Sequence, residues 1–121
     1  MLDHIGLVVV DFDKSVAFYE SVLAPLGVAV LMRSSSEVGF GRDGRPQFWI
    51  YRGASSGRMH LAFTARTEGE VRAFHAAALA AGARDNGAPG LRAHYDPNYY
   101  SAFAIDPNGH NIEAVCHSPE A

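Results

Sequence analysis

Cysteine, long apolar runs and clustered positive charge are all scarce in this sequence. The one cysteine, Cys116, has no partner for a disulfide within the chain. No apolar run approaches the roughly 20 residues that a membrane-spanning helix needs. Asp3 and His4 interrupt the N-terminus before any apolar stretch, which is not the pattern of a secretory signal peptide. We therefore expect a cytoplasmic protein without a membrane partner.

The charged residues are few and dispersed. Ten lysines and arginines stand against 13 aspartates and glutamates, which gives a formal net charge of −3, and the arginines are scattered along the chain. Nucleic-acid binding usually needs a basic patch, so we expect no nucleic-acid partner. Hydrophobic residues make up 48% of the 121 residues, a globular composition that suits one domain or two small fused modules.

Two segments of the chain resemble each other. The first, HIGLVVVDFDKSVAFYESVLAPLG, begins at His4, and the second, HLAFTARTEGEVRAFHAAALAAG, begins at His60. At this offset of 56 residues the identical pairs include Ala17 with Ala73, Phe18 with Phe74, and Leu23 with Leu79. Each segment starts with an apolar strand that carries a histidine and continues through a polar turn into a helix. We interpret the pair as an internal repeat.

Helix signals occur at corresponding places in the two halves. Asp13 is the predicted N-cap of the first helix, and the T-x-x-E pattern of Thr67 and Glu70 predicts a capping box for the second. Gly27 and Gly82 suit the left-handed position just beyond a helix end.

Three short strands are predicted after each helix. They lie near 28–33, 36–41 and 47–51 in the first half, and near 83–86, 99–105 and 110–116 in the second. Between them, 87–98 is predicted to be a long irregular loop, a type of segment that often carries function. We expect an α+β fold, with a single domain over 1–121 that contains two βαβββ modules, at about 1–53 and 58–117. One module alone would bury too little, so the two should share a mixed sheet.

Three polar residues stand inside apolar strand-like runs. His4 lies in DHIGLVVV, His60 in RMHLAFTA, and Glu113 in HNIEAVCH. Two imidazoles and one carboxylate on rigid strands are the ligand set of a facial triad, which holds a divalent metal and leaves positions open for substrate. The alternative is that the histidines are structural and the glutamate faces solvent.

The sequence resembles the vicinal oxygen chelate superfamily, also named the glyoxalase/bleomycin resistance/dioxygenase family. The resemblance is carried by HIGLVVVDFDKSVAFYESVLAPLGV, MHLAFTA and YYSAFAIDPNGHNIEAV. It implies paired βαβββ modules whose strands form a cupped sheet around a cavity, and it implies a homodimer. By position it implies that His4, His60 and Glu113 bind one divalent metal ion, which would be Zn, Mn, Fe or Ni.

The sequence departs from glyoxalase I at the fourth metal ligand. The position that matches Glu113 in the first half falls on Phe48 or Trp49, and neither side chain binds metal. The remaining ligand set is more similar to that of fosfomycin-inactivating thiol transferases and extradiol dioxygenases. Members that only bind drugs lack the metal.

Aromatic and polar residues supply candidates for the rest of the cavity. Trp49 and Phe48 are predicted to stack on a substrate, although strand alternation turns at least one of them away. Tyr95 and Asn98 are candidates for substrate binding. The candidate catalytic residues are Glu113, Tyr99, Tyr100 and His94. The alternative is that the tyrosines simply suit a strand and that 94–98 is a surface loop.

The other histidines are predicted to be structural or solvated, with His75 toward the surface, His110 at the start of the last strand and His117 near the terminus.

Two functions remain open for this protein. The first is a metal-dependent enzyme acting on a small organic substrate, of glyoxalase-like lyase, thiol transferase or dioxygenase type. The alternative is a metal-free protein that binds a small molecule or drug and confers resistance.

Overall fold

The computed structural model describes residues 1–55 and 57–117. The chain divides into two compact units, one from Met1 to Gly57 and one that starts at Arg58. Neither helix in the described part of the chain combines the length and the hydrophobicity of a membrane-spanning segment.

The first unit has the order strand, helix, then three strands. Its elements are β1 (Ile5–Val9), α1 (Phe12–Leu23), a 3-10 turn (Ala24–Leu26), β2 (Ala29–Arg33), β3 (Glu37–Arg42) and β4 (Arg45–Arg52). The sheet order is β1-β4-β3-β2, in which β1 runs parallel to β4 and the other pairs are antiparallel. The parallel pair forms because α1 carries the chain back along one face of the sheet.

Helix α1 is fixed by its N-cap and by its buried face. The carboxylate of Asp11, and not that of Asp13, accepts a hydrogen bond from the Lys14 amide, so the predicted cap lies two residues too late. The helix ends through the 3-10 turn at Gly27, whose φ of 77° is the predicted left-handed conformation. The apolar stripe of the helix packs on the sheet side chains of the same unit; the buried set includes Val16, Tyr19, Leu23, Phe40, Phe48 and Ile50.

The second unit repeats this order. Its elements are β5 (His60–Thr64), α2 (Glu68–Ala80), β6 (Arg84–Leu91), β7 (Tyr100–Ile105) and β8 (Asn111–Cys116). The sheet order is β5-β8-β7-β6, with β5 parallel to β8. Thr67 caps α2 by accepting a hydrogen bond from the Glu70 amide at 3.1 Å, as the sequence predicts.

The two predicted βαβββ modules and the α+β class are confirmed. The expectation that the two modules share one mixed sheet is wrong: their strands form two four-stranded sheets, one in each unit, because β1 pairs with β4 and β5 pairs with β8. The long loop predicted over 87–98 is wrong in its first part, since β6 continues to Leu91 with glycine and proline accommodated at register shifts against β7.

One histidine is placed differently from its prediction. His75 is buried against β6 and not exposed, and its Nε2 lies 3.0 Å from the Asp85 carboxylate. The backbone amide of Gly87 and the His75 ring both bind that carboxylate and hold the pKa of Asp85 below its usual value. His75 is therefore a structural link between α2 and β6.

Candidate functional site

Glu113 is a buried carboxylate that two polar side chains satisfy. It lies in the middle of β8 and is 1% exposed. Its Oε1 lies 2.8 Å from His60 Nε2, and its Oε2 accepts a hydrogen bond from the Tyr99 hydroxyl. A buried carboxylate needs such partners because its desolvation is otherwise very costly. Glu113 therefore faces an imidazole and a phenol.

Strand pairing places His60 beside Glu113. In the parallel pair, His60 is opposite Asn111 and Ala62 is opposite Glu113. Side chains two apart share a face, so His60 and Glu113 meet diagonally on the face that α2 does not cover. The methyl group of Ala62 leaves this space open.

The turn before β8 sets this register. Asp106 accepts hydrogen bonds from the amides of Asn108 and His110, and Gly109 takes the left-handed conformation at φ 89°. The buried His110 ring then accepts a hydrogen bond from the Met59 amide at 2.9 Å through Nδ1. The residue before His60 is thus tied to the start of β8.

Tyr99 approaches Glu113 from within an aromatic cluster. Its ring lies 5.0 Å from that of Tyr95 and 5.2 Å from that of His117, both in edge-on geometry. Burial, followed by the hydrogen bond to Glu113, raises the pKa of Tyr99 well above its usual value of 10.0. The phenol therefore keeps its proton and acts as a donor at neutral pH.

His60 and Glu113 are suitably placed to hold a cation together. Ligand atoms bound at about 2.0–2.2 Å to one tetrahedral ion lie roughly 3.4 Å apart, so the Nε2–Oε1 distance, which is 2.8 Å, would have to lengthen by about 0.6 Å. A bound metal would take the Nε2 lone pair of His60, so Nε2 would carry no proton in the metal-bound protein.

His4, the third predicted ligand, belongs to the first unit and directly precedes β1. Its Nδ1 lies 2.8 Å from the Asp3 carboxylate. A carboxylate on one ring nitrogen commonly orients a histidine whose other nitrogen binds metal. Over residues 1–55 and 57–117, however, no group of three or more histidine, cysteine, aspartate or glutamate side chains is placed to hold an ion. The structure brings together His60 and Glu113.

A concave surface lies in the first unit. A pocket of about 470 Å³ is lined by Trp49, Tyr51 and polar residues that include His4, Glu37 and Arg45. The Trp49 and Tyr51 rings are nearly parallel, at 9°, with centroids 6.3 Å apart. The Trp49 ring lies across Gly39, where an added Cβ would stand only 2.8 Å from it. The absence of a side chain there lets the indole lie along the sheet.

The register shows which residue replaces the fourth ligand. Trp49 pairs with Gly6 in the first unit as Glu113 pairs with Ala62 in the second, and Gly6 and Ala62 correspond in the repeat. Trp49 therefore lines the pocket at the position of the missing carboxylate. The prediction for Phe48 is wrong, because alternation turns its ring into the core against Tyr19, 5.0 Å away.

The remaining predicted site residues differ in how closely they approach Glu113. Tyr100 is not brought to Glu113: its hydroxyl meets Arg72 of α2, because it follows Tyr99 on the strand and points to the opposite face. The His94 and Tyr95 side chains are exposed, and their ring centroids lie 4.2 Å apart at an interplanar angle of 45°. Tyr95 in turn contacts the Tyr99 ring. Asn98 is exposed, and its backbone N–H donates a hydrogen bond to the Asp96 carboxylate.

Sequence reasoning missed Phe103. This residue is the direct partner of Glu113 on β7, and its ring lies 6.1 Å from that of His60. Its spacing of four residues from Tyr99 places both on one face of a strand, which is the signal that identifies it.

Comparison with known proteins identifies the family of this chain. The model of the Glyoxalase/Bleomycin resistance protein/Dioxygenase superfamily matches residues 1–114. The chain belongs to this superfamily. A search of curated proteins found no match.

Solved structures of the superfamily align over nearly the whole chain. A glyoxalase/bleomycin resistance protein from Albidiferax ferrireducens is 28% identical with a TM-score of 0.83, covering 96% of this chain and 98% of its own. A mutant fosfomycin resistance protein from Listeria monocytogenes, complexed with Mn(II) and 1S,2S-dihydroxypropylphosphonic acid, is 25% identical with a TM-score of 0.70, covering 95% and 88%. A putative glyoxalase from Bacillus halodurans, 23% identical with a TM-score of 0.73 over 96% and 95%, shares the fold.

Proposed function

We propose that this protein is a metal-dependent enzyme that acts on a small organic substrate, with His4, His60 and Glu113 as ligands of one divalent ion. The observation that carries the proposal is the buried Glu113 carboxylate with an imidazole nitrogen 2.8 Å away. The Mn(II) in the Listeria relative supports the choice of a divalent metal.

The ion, when bound, would act as a Lewis acid on a substrate oxygen. Glu113 would balance its charge, and Asp3 would orient the His4 ring through Nδ1. Tyr99 would hold its proton at the phenolic oxygen and donate a hydrogen bond beside the metal. Its raised pKa supports this role, because the phenol stays protonated throughout the neutral range.

The residue at the fourth ligand position narrows the type of reaction. Trp49 cannot supply a carboxylate, so the proposal favours thiol transfer or oxygenation over glyoxalase I chemistry. The indole and Tyr51 offer a flat aromatic surface to an apolar part of the substrate. A homodimer and a cytoplasmic location remain predictions.

A metal-free binding protein is the second candidate, and one observation favours it. Both oxygens of Glu113 already have donors, in His60 and Tyr99, so the carboxylate is stable without a cation. The Trp49–Tyr51 pocket would then hold a drug or other small molecule.

Calorimetric titration of chelator-treated protein with Mn(II) or Zn(II) separates the two functions. The enzyme proposal expects one equivalent of metal to bind, and expects Glu113→Gln and His60→Ala each to weaken binding at least tenfold, because each removes a ligand. Glu20→Gln, which alters an exposed carboxylate on α1, is the matched control and should bind as the wild type. Absence of stoichiometric binding, or equal binding by all variants, would reject the enzyme.

A further inference from the structure

Arg92 is a partly buried cation on the Glu113 face of the second sheet. It directly follows β6, and its guanidinium carbon lies 5.6 Å from the ring centroid of Phe103. Its Nη2 donates to the Ala88 carbonyl at 2.7 Å. Among residues 1–55 and 57–117, no carboxylate lies within ion-pairing distance of it. One carbonyl uses few of its five N–H donors and balances none of its charge.

Strand β6 is shaped to receive this guanidinium. A Cβ added to Gly87 would stand 3.2 Å from Nη2, and one added to Gly90 would stand 3.0 Å from Nη1. Both distances are tighter than ordinary contacts, so a side chain at either position would displace the group. Phe103 bounds the guanidinium on the β7 side. The two glycines and the ring hold Arg92 flat against the sheet.

Ser101 provides an independent polar group at this place. It is the partner of Gly90 across β6 and β7, and it shares the face of Phe103 because the two are two residues apart. The residue is fully buried, and its Oγ has no hydrogen-bond partner within the described part of the chain. A buried hydroxyl without a partner carries a free-energy penalty that a ligand would relieve.

We propose that Arg92, together with the Ser101 hydroxyl, binds an oxyanion group of the substrate, such as a carboxylate, phosphate or phosphonate. The guanidinium offers the planar fork of donors that matches these groups, and the Ser101 hydroxyl adds a donor from the neighbouring strand. Neither residue is needed to hold the metal.

This inference rests on the proposed function and deepens it by giving the substrate class. Arg92 follows β6, two strand spacings from β8, and Ser101 lies on β7, one spacing away, so the oxyanion would lie roughly 5–10 Å from Glu113. The substrate is therefore a small organic acid whose anionic group sits at one end and whose reacting oxygens sit at the other, with Phe103 between them.

Titration of chelator-treated protein with inorganic phosphate, at constant ionic strength set by chloride, tests the site without metal. Arg92→Gln is expected to raise the phosphate Kd at least tenfold, and Arg92→Lys less, because a lysine keeps the charge but loses the fork. Arg84→Gln makes the same charge change on an exposed residue of β6 and should leave Kd unchanged. Equal effects of Arg92→Gln and Arg84→Gln, or no phosphate binding at all, would overturn the proposal.

Ser101→Ala distinguishes the loss of a phosphate contact from a general folding defect. It removes an unpaired hydroxyl, so the thermal midpoint without phosphate should hold or rise while the phosphate Kd increases several-fold. A lowered midpoint with unchanged Kd would show that Ser101 has only a structural role and would remove it from the site.

The same variants separate this proposal from the enzyme proposal. Arg92→Gln should bind Mn(II) like the wild type. Intact Mn(II) binding without Arg92-dependent phosphate binding defeats the oxyanion site alone. Arg92-dependent phosphate binding without Mn(II) binding defeats the metal enzyme and leaves an oxyanion-binding protein.

Discussion

At the scale of single residues, the candidate site is centred on Glu113 and the polar side chains that contact it. Its burial would be prohibitive without donors, and His60 and Tyr99 supply them on the two oxygens. Under the proposed function the same contacts would prepare the carboxylate for a cation, because a metal could bind between His60 and one oxygen while Tyr99 keeps its hydrogen bond to the other. The stability of the metal-free protein and the proposed metal binding would then depend on the same atoms.

Tyr99→Phe tests this dependence. The change leaves one oxygen of a buried carboxylate without its donor, so we expect metal-free protein to lose about 1–3 kcal/mol of unfolding free energy. Urea denaturation followed by circular dichroism measures the loss. Tyr95→Phe, on an exposed ring of the same cluster, is the control and should change stability little. Equal stability of both variants would show that the Tyr99–Glu113 bond contributes nothing.

At the scale of elements, the parallel pairing of β5 and β8 creates the site. It sets His60 diagonal to Glu113, and the Asp106–Gly109 turn with His110 fixes where the pairing starts. In the first unit the same pairing of β1 with β4 sets Trp49 beside Gly6. Equivalent strand positions thus carry a carboxylate in one unit and an indole in the other.

His110→Ala should weaken the start of the β5–β8 pair. The Met59 amide loses its acceptor, so we expect a cost of about 1–3 kcal/mol in urea denaturation. His110→Asn keeps an acceptor and should recover part of the loss, and His94→Ala, on the exposed loop, should have little effect. If His110→Ala and His94→Ala cost the same, the ring nitrogen does not pin the strands.

At the scale of the whole molecule, one repeat has given two units with the same topology and different chemistry. Each unit packs its helix on its own four-stranded sheet, so each has a core that does not include the polar face. The polar faces are therefore free to diverge, which accounts for an aromatic pocket in the first unit and a Glu113–His60–Tyr99 cluster in the second.

If the proposed function is right, binding of the metal should stabilise the folded state of the whole protein. A ligand that binds only the folded state at 100 times its Kd adds about 2.7 kcal/mol to the unfolding free energy. We expect Mn(II) to raise the thermal midpoint of the wild type, and His4→Ala and Glu113→Gln to lose most of the shift. Loss with Glu113→Gln but not with His4→Ala would limit the ligands to the second unit.

The sequence by itself determined the repeat, the order of elements and the residues worth examining, because helix caps, glycine turns and strand periodicity are local properties of the chain. It identified His60, Glu113 and Tyr99 as candidates. Only the tertiary structure decided which of them meet, since that depends on strand register: it paired His60 and Tyr99 with Glu113, turned Phe48 and Tyr100 to the helix side, and set Arg92 over two glycines. A side chain's face reverses with a shift of one residue, and no local pattern fixes that shift.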